Sequence, residues 1–256
     1  MNKRPTQLSD ETRKLLIGYA EKYETRGFLN GDPSWFMHQV KGAKNQEVMG
    51  FFASCLSYGS RKQFLPKIEW LRTQSEGEPY RWVAEGTFED ALPTDDKACF
   101  YRLHTVGDIR KLLHAQRKML DEYGTMGIFV ERNATDALSA ISALCRYFAQ
   151  EGASGIIPHD TTSACKRMCM FLRWMVRDGS PVDIGLWSKH ISRKSLIMPL
   201  DTHVLRQSLR LGLMQSRTAS MSAARKLTSA LAEVFPDDPL KGDFALFGYG
   251  VNEEKE

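Results

Sequence analysis

The chain has 256 residues, 42% hydrophobic and 26% charged, with a net charge of +4. That is the composition of a globular protein and excludes a disordered or fibrous chain. No apolar run approaches the roughly 18 residues of a membrane helix, and residues 1–14 are polar and mixed in charge, without the apolar stretch of a signal peptide. The expectation is a cytoplasmic protein with no membrane partner. Cys55, Cys99, Cys145, Cys165 and Cys169 are odd in number and lie mostly in apolar helical patterns, as free thiols of a reducing compartment do. Cys165 and Cys169 stand four apart, but no second Cys/His pair follows at ligand spacing, so buried thiols and no metal are expected.

In chain order the pattern is helical, with strand signals almost absent. Residues 9–24 open on Ser9/Asp10 as caps and carry Leu15, Leu16, Tyr19 and Tyr23 at helical spacing. Residues 47–58 are apolar nearly all round, which predicts a central buried helix. Gly59-Ser60 ends it and caps a further helix that Pro66 kinks or breaks. Thr105 with Asp108 resembles a capping box for a helix to Tyr123, stopped by Gly124. Another helix covers 135–149. The connection 152–162 leads to a helix over 163–177, capped by Thr161 or Thr162, and an irregular stretch follows over 178–199. Asp201 is the expected N-cap of the next helix, closed by Gly212, and two more follow, over 221–235 and from Pro239 after Asp238. With no repeat and no long linker, residues 1–256 are expected to form a single unit of two helical lobes.

Charge is unevenly spread. Residues 161–226 hold twelve Lys/Arg against three acids, a net of +9, which points to a polyanion such as nucleic acid or to a solvated basic face. Two residues in this stretch have chemical potential. Lys166 falls in the first turn of its helix beside Arg167, where the macrodipole and the neighbouring cation both favour the neutral amine that a nucleophile needs. Asp201 sits at the start of another helix, where dipole and free amides favour a carboxylate. A lysine attacking an electrophilic carbon while an aspartate stabilises developing positive charge suits such a pair. The plainer reading makes them a solvated lysine and a structural cap.

The string Met198-Pro199-Leu200-Asp201-Thr202-His203-Val204 resembles the V-D-T-H-V pattern of the helix-hairpin-helix DNA glycosylase superfamily. Cys165-Lys166-Arg167-Met168, 35 residues earlier, falls where bifunctional members keep a Schiff-base lysine, and the long gap is similar to that of the archaeal 8-oxoguanine DNA glycosylases. Most of the chain also resembles a bacterial family of unassigned function with the pattern SACKR…MFLRWMVR…PLDTHV…DFALFGYG. The sequence departs from the superfamily at the hairpin, where 156–162 lacks the glycine-rich stretch that offers amides to a phosphate. No cysteine follows Cys169, so the iron–sulfur cluster of many relatives is not expected.

The resemblance implies an all-α, two-lobed helical fold and a base-excision glycosylase, bifunctional through Lys166, with Asp201 as its catalytic carboxylate. It would act on a damaged base flipped from double-stranded DNA, with no cofactor. Thr161, Thr162 and Ser163 at the expected helix start, with Arg167, Arg173, Arg177 and Arg61, are the candidate phosphate contacts. Trp187 is a candidate for stacking on an extruded base or, equally, for a buried structural tryptophan, and Tyr58 is a candidate for filling the gap that the base leaves. The alternative is a non-catalytic helical module that binds nucleic acid or a protein.

Overall fold

A computed structural model describes residues 8–253, with side chains to residue 251. The described residues are mostly helical, with one two-stranded hairpin. The first helix, α1 (Asp10–Tyr23), starts where the Ser9 hydroxyl accepts the Thr12 amide at 3.1 Å. Two 3-10 turns follow, Arg26–Leu29 and Pro33–His38. Next is α2 (Ala43–Leu56), buried on nearly all sides as its all-round apolar pattern predicts. The chain continues through α3 (Arg61–Gln74), with Pro66 inside it, then the short α4 (Pro79–Glu85) and α5 (Phe88–Ala91). The hairpin pairs β1 (Cys99–Tyr101) antiparallel with β2 (His104–Thr105).

The capping box is present at α6 (Val106–Tyr123): Thr105 and Asp108 exchange side chain and amide, and Gly124 ends the helix at φ +76°. After α7 (Met126–Asn133), a second box formed by Asp136 and Ser139 opens α8 (Ala137–Gln150). The remaining helices are α9 (Lys166–Val176), α10 (Thr202–Arg210), α11 (Met221–Ala232) and α12 (Lys241–Glu253).

Packing brings distant segments together. Helix α2 contacts α3, α4, α9 and the second 3-10 turn, while α6 contacts α4, α7 and α8. The first and last helices meet, because α1 runs along α12, which also takes α10. The buried apolar side chains form one continuous core.

Two helix starts differ from expectation. Helix α9 begins at Lys166, three residues late, because Cys165 adopts a left-handed backbone (φ +44°) and turns the chain there. Neither Thr161 nor Thr162 caps it, and its first turn has no side-chain cap. Helix α12 begins at Lys241 rather than Pro239, because the Asp238 carboxylate is engaged by Arg177 and is not available as a cap.

Candidate active-site cleft

Four segments converge on one cleft of ≈ 640 Å³: the start of the second 3-10 turn, the α2–α3 joint, the α9 start with the loop before it, and the α10 start. At the joint, Gly59 has φ +79°, a left-handed backbone that favours glycine. The connection 151–165 carries buried Ile156 and Ile157 as anchors, and Ser163 bridges to Ser220 at the start of α11.

Lys166 and Asp201 meet at this cleft. The Lys166 ammonium lies 3.7 Å from Asp201 Oδ2, and the side chains are 31% and 39% exposed, so both are open to the cleft. Asp201 divides its two oxygens: Oδ1 accepts the Val204 amide at 2.9 Å and caps α10, while Oδ2 faces the lysine. His203, two residues on, is exposed and shares a hydrogen bond with Arg206. Just behind, burial pushes the Asp243 carboxyl up from its ordinary value, opposed chiefly by the Arg173 guanidinium; Asp201 pushes the same way as burial. Next to Lys166, the neighbouring Cys145 thiol lowers the Cys165 thiol from its ordinary value, while burial opposes the shift.

A second cavity of ≈ 520 Å³ adjoins the first and shares Lys166 and Asp201 with it. Its wall adds Phe28, Trp174, Gln207, Asp243 and Phe247 from α9, α10, α12 and the first 3-10 turn.

The other candidates divide. Arg61 is exposed at the cleft, 3.8 Å from Asp32. Arg167 lines it half-buried, donating to the Cys55 carbonyl at 2.9 Å, with its guanidinium 5.5 Å from the Tyr58 ring centre. Tyr58 lines the cleft and donates its hydroxyl to the Tyr101 carbonyl. Ser163 reaches the cleft lining, whereas Thr161 and Thr162 lie outside it, and the Thr162 amide is taken by Asp160.

Three candidates are displaced by burial. Trp187 is 2% exposed, with its indole N–H donating to Glu47 Oε1 at 2.8 Å and its ring against Phe171, so it is a core residue and not a stacking platform. Arg173 and Arg177 are buried in an ionic cluster, where carboxylates already occupy their guanidinium groups. Arg177 binds Glu24 at 2.6 Å and Asp238 at 2.8 Å, and both arginines grip the fully buried Asp183. Arg173 also pairs with Asp243. The surface charge shrinks accordingly, and Arg193 and Lys194 are paired with Asp178 and Asp237.

Gln207, Trp174 and Asp243 were not among the sequence candidates. Gln207 lies in α10 three residues beyond the D-T-H-V string, and Trp174 sits in an apolar stripe, so only the fold could find them.

Fold and site thus define a mostly helical protein with a lysine–carboxylate pair in a partly exposed cleft. The sequence profile of the DUF2400 family, described as a protein family of unknown function, matches residues 32–252, and the chain belongs to that family. Comparisons with curated proteins and with solved structures give no match.

Proposed function

We propose that this chain is a DNA base-excision enzyme of the helix-hairpin-helix glycosylase type, two helical lobes flanking the cleft, acting on a damaged nucleotide flipped from duplex DNA. The observation that carries the reading is the Lys166–Asp201 pair: two helix starts from distant parts of the chain present an amine and a carboxylate 3.7 Å apart, open to one cleft. An ordinary surface ion pair would not need this enclosure.

Asp201 Oδ2 takes a proton from the Lys166 ammonium, and the freed amine attacks C1′ of the sugar. The Nζ–C1′ bond forms as the bond from C1′ to the base breaks, and the base leaves with the electron pair and takes the proton that Asp201 received, which restores the Asp201 carboxylate. The ring then opens at C1′–O4′, O4′ takes the proton that the amine loses, and a C1′=N Schiff base results. Water takes a C2′ proton, a C2′=C3′ double bond forms, and the C3′–O bond breaks, so the 3′ phosphate leaves with the electron pair and the strand is cut. As positive charge grows on the sugar, the Asp201 carboxylate lies beside it, already fixed by its bond to Val204. Arg61, Arg167 and Ser163, at the cleft, serve the DNA backbone, with Thr161 and Thr162 flanking it.

The test is Asp201→Asn, assayed for base release on duplexes carrying single lesions. Release should slow by about 100- to 1,000-fold, as on losing one preorganised transition-state contact. Folding should be nearly unchanged, since Asn caps a helix as well as Asp. Full activity in the variant removes the catalytic role.

A further inference from the structure

We infer that the second cavity reads the edge of a planar heterocycle, a nucleobase or similar cyclic amide, through the Gln207 carboxamide and the Trp174 indole N–H. The inference rests on the base-excision reading and adds to it the residues that choose the base.

Buried polar side-chain atoms in a native protein almost always have partners. Among the described residues five do not, and three of the five belong to two residues of this wall: Gln207 Nε2, Gln207 Oε1 and Trp174 Nε1. Gln207 is 1% exposed and Trp174 fully buried, so bulk water does not serve them. A glutamine has two donors and two acceptor positions, and the whole set is unmet here on a side chain that lines a cavity. The amide is also held close. Gly250 of α12 faces it without a side chain, and a Cβ there would come within 3.0 Å of Gln207 Nε2.

Part of the cavity wall offers apolar surface to a flat ring. Phe28, Met170 and Phe247 supply apolar wall, and the rings of Phe28 and Phe247 meet edge to face at 4.9 Å. The volume of ≈ 520 Å³ falls within the range of about 300–1,000 Å³ typical of small-molecule sites. A carboxamide pairs in two-point fashion with adjacent N–H and acceptor groups, as glutamine does with base edges. The indole N–H adds a third point that requires an acceptor on the ring. Lys166 and Asp201 belong to the same wall, so a ring seated here has its sugar bond near the amine.

The experiment measures equilibrium binding of guanosine, inosine and 1-methylguanosine, whose edge is blocked, to the full chain and to Gln207→Met and Trp174→Phe. Guanosine or inosine should bind, and edge blocking or Gln207→Met should weaken binding by about 10- to 100-fold, the worth of one two-point pair. Trp174→Phe should weaken it by a smaller factor. The melting temperature of Gln207→Met should not fall, because an unpartnered buried amide is replaced by an apolar group of similar length. The idea fails if no nucleoside binds, if the blocked edge binds equally well, or if Gln207→Met keeps full affinity. Edge-dependent binding with no lesion duplex ever cut would keep this inference and sink the excision reading. Lesion excision unchanged in Gln207→Met would do the reverse.

Discussion

Glu47 shows how one buried charge can be held by the core of this protein. Its two oxygens accept the Met126 and Gly127 amides at the start of α7 and the Trp187 indole N–H. Burial nevertheless pushes its carboxyl above the ordinary value, since three donors only partly replace water. A carboxyl raised in the folded state contributes stability that is fully present below its unfolded pKa and is lost as pH rises through the folded one. Glu47→Gln turns an NH₂ group toward one of these donors and should cost about 1–3 kcal/mol. That deficit should be larger near about pH 4 than near about pH 8, because the advantage of the native side chain declines with pH. Urea unfolding of both proteins at the two pH values measures it, and a deficit that grows with pH would contradict the assignment. At this same scale the sequence left Trp187 open between a stacking and a core residue, because its anchor Glu47 lies 140 residues away. A tryptophan in an irregular stretch reads alike whether it stacks on a ligand or closes a core.

Among the elements, α9 carries most of the consequences. Its first turn presents Lys166 to the cleft, and its far end sends Arg173 and Arg177 into the ionic cluster that ties α9 to α1 and α12. Removing one partner of a buried cluster leaves the others uncompensated, so Arg177→Ala should destabilise by about 3–5 kcal/mol. A loss below about 1 kcal/mol in chemical denaturation would mean that the acids relax to water without it. The sequence could not say what faces these arginines, because Glu24 and Asp238 are 153 and 61 residues from Arg177. Caps were legible for the opposite reason. Thr105 and Asp108, or Asp201 and Val204, lie three apart and need nothing from the rest of the chain. The short α4, α5 and α7 escaped because too few residues define a stripe, and the α9 start moved because a left-handed cysteine has no sequence signal.

For the whole molecule, the net of +9 over 161–226 overstated the basic surface, since two of its twelve cations are buried against acids from outside that stretch. Exposed Lys189, Arg217, Arg225 and Lys226 remain, with Arg61 at the cleft. Binding to duplex DNA should therefore still weaken steeply with salt, with a log–log slope set by the phosphates actually neutralised. Affinity that is flat between about 50 mM and 200 mM salt would exclude a DNA partner. The central claim is that Lys166 is a nucleophile, and its most direct test is borohydride trapping on a panel of duplexes with single lesions. The native protein should give a covalent adduct on at least one lesion. Lys166→Gln should give none while binding DNA nearly as well, because one charge is a small part of the electrostatic attraction. An adduct that persists in Lys166→Gln, or no adduct from the native protein on any lesion, would contradict it.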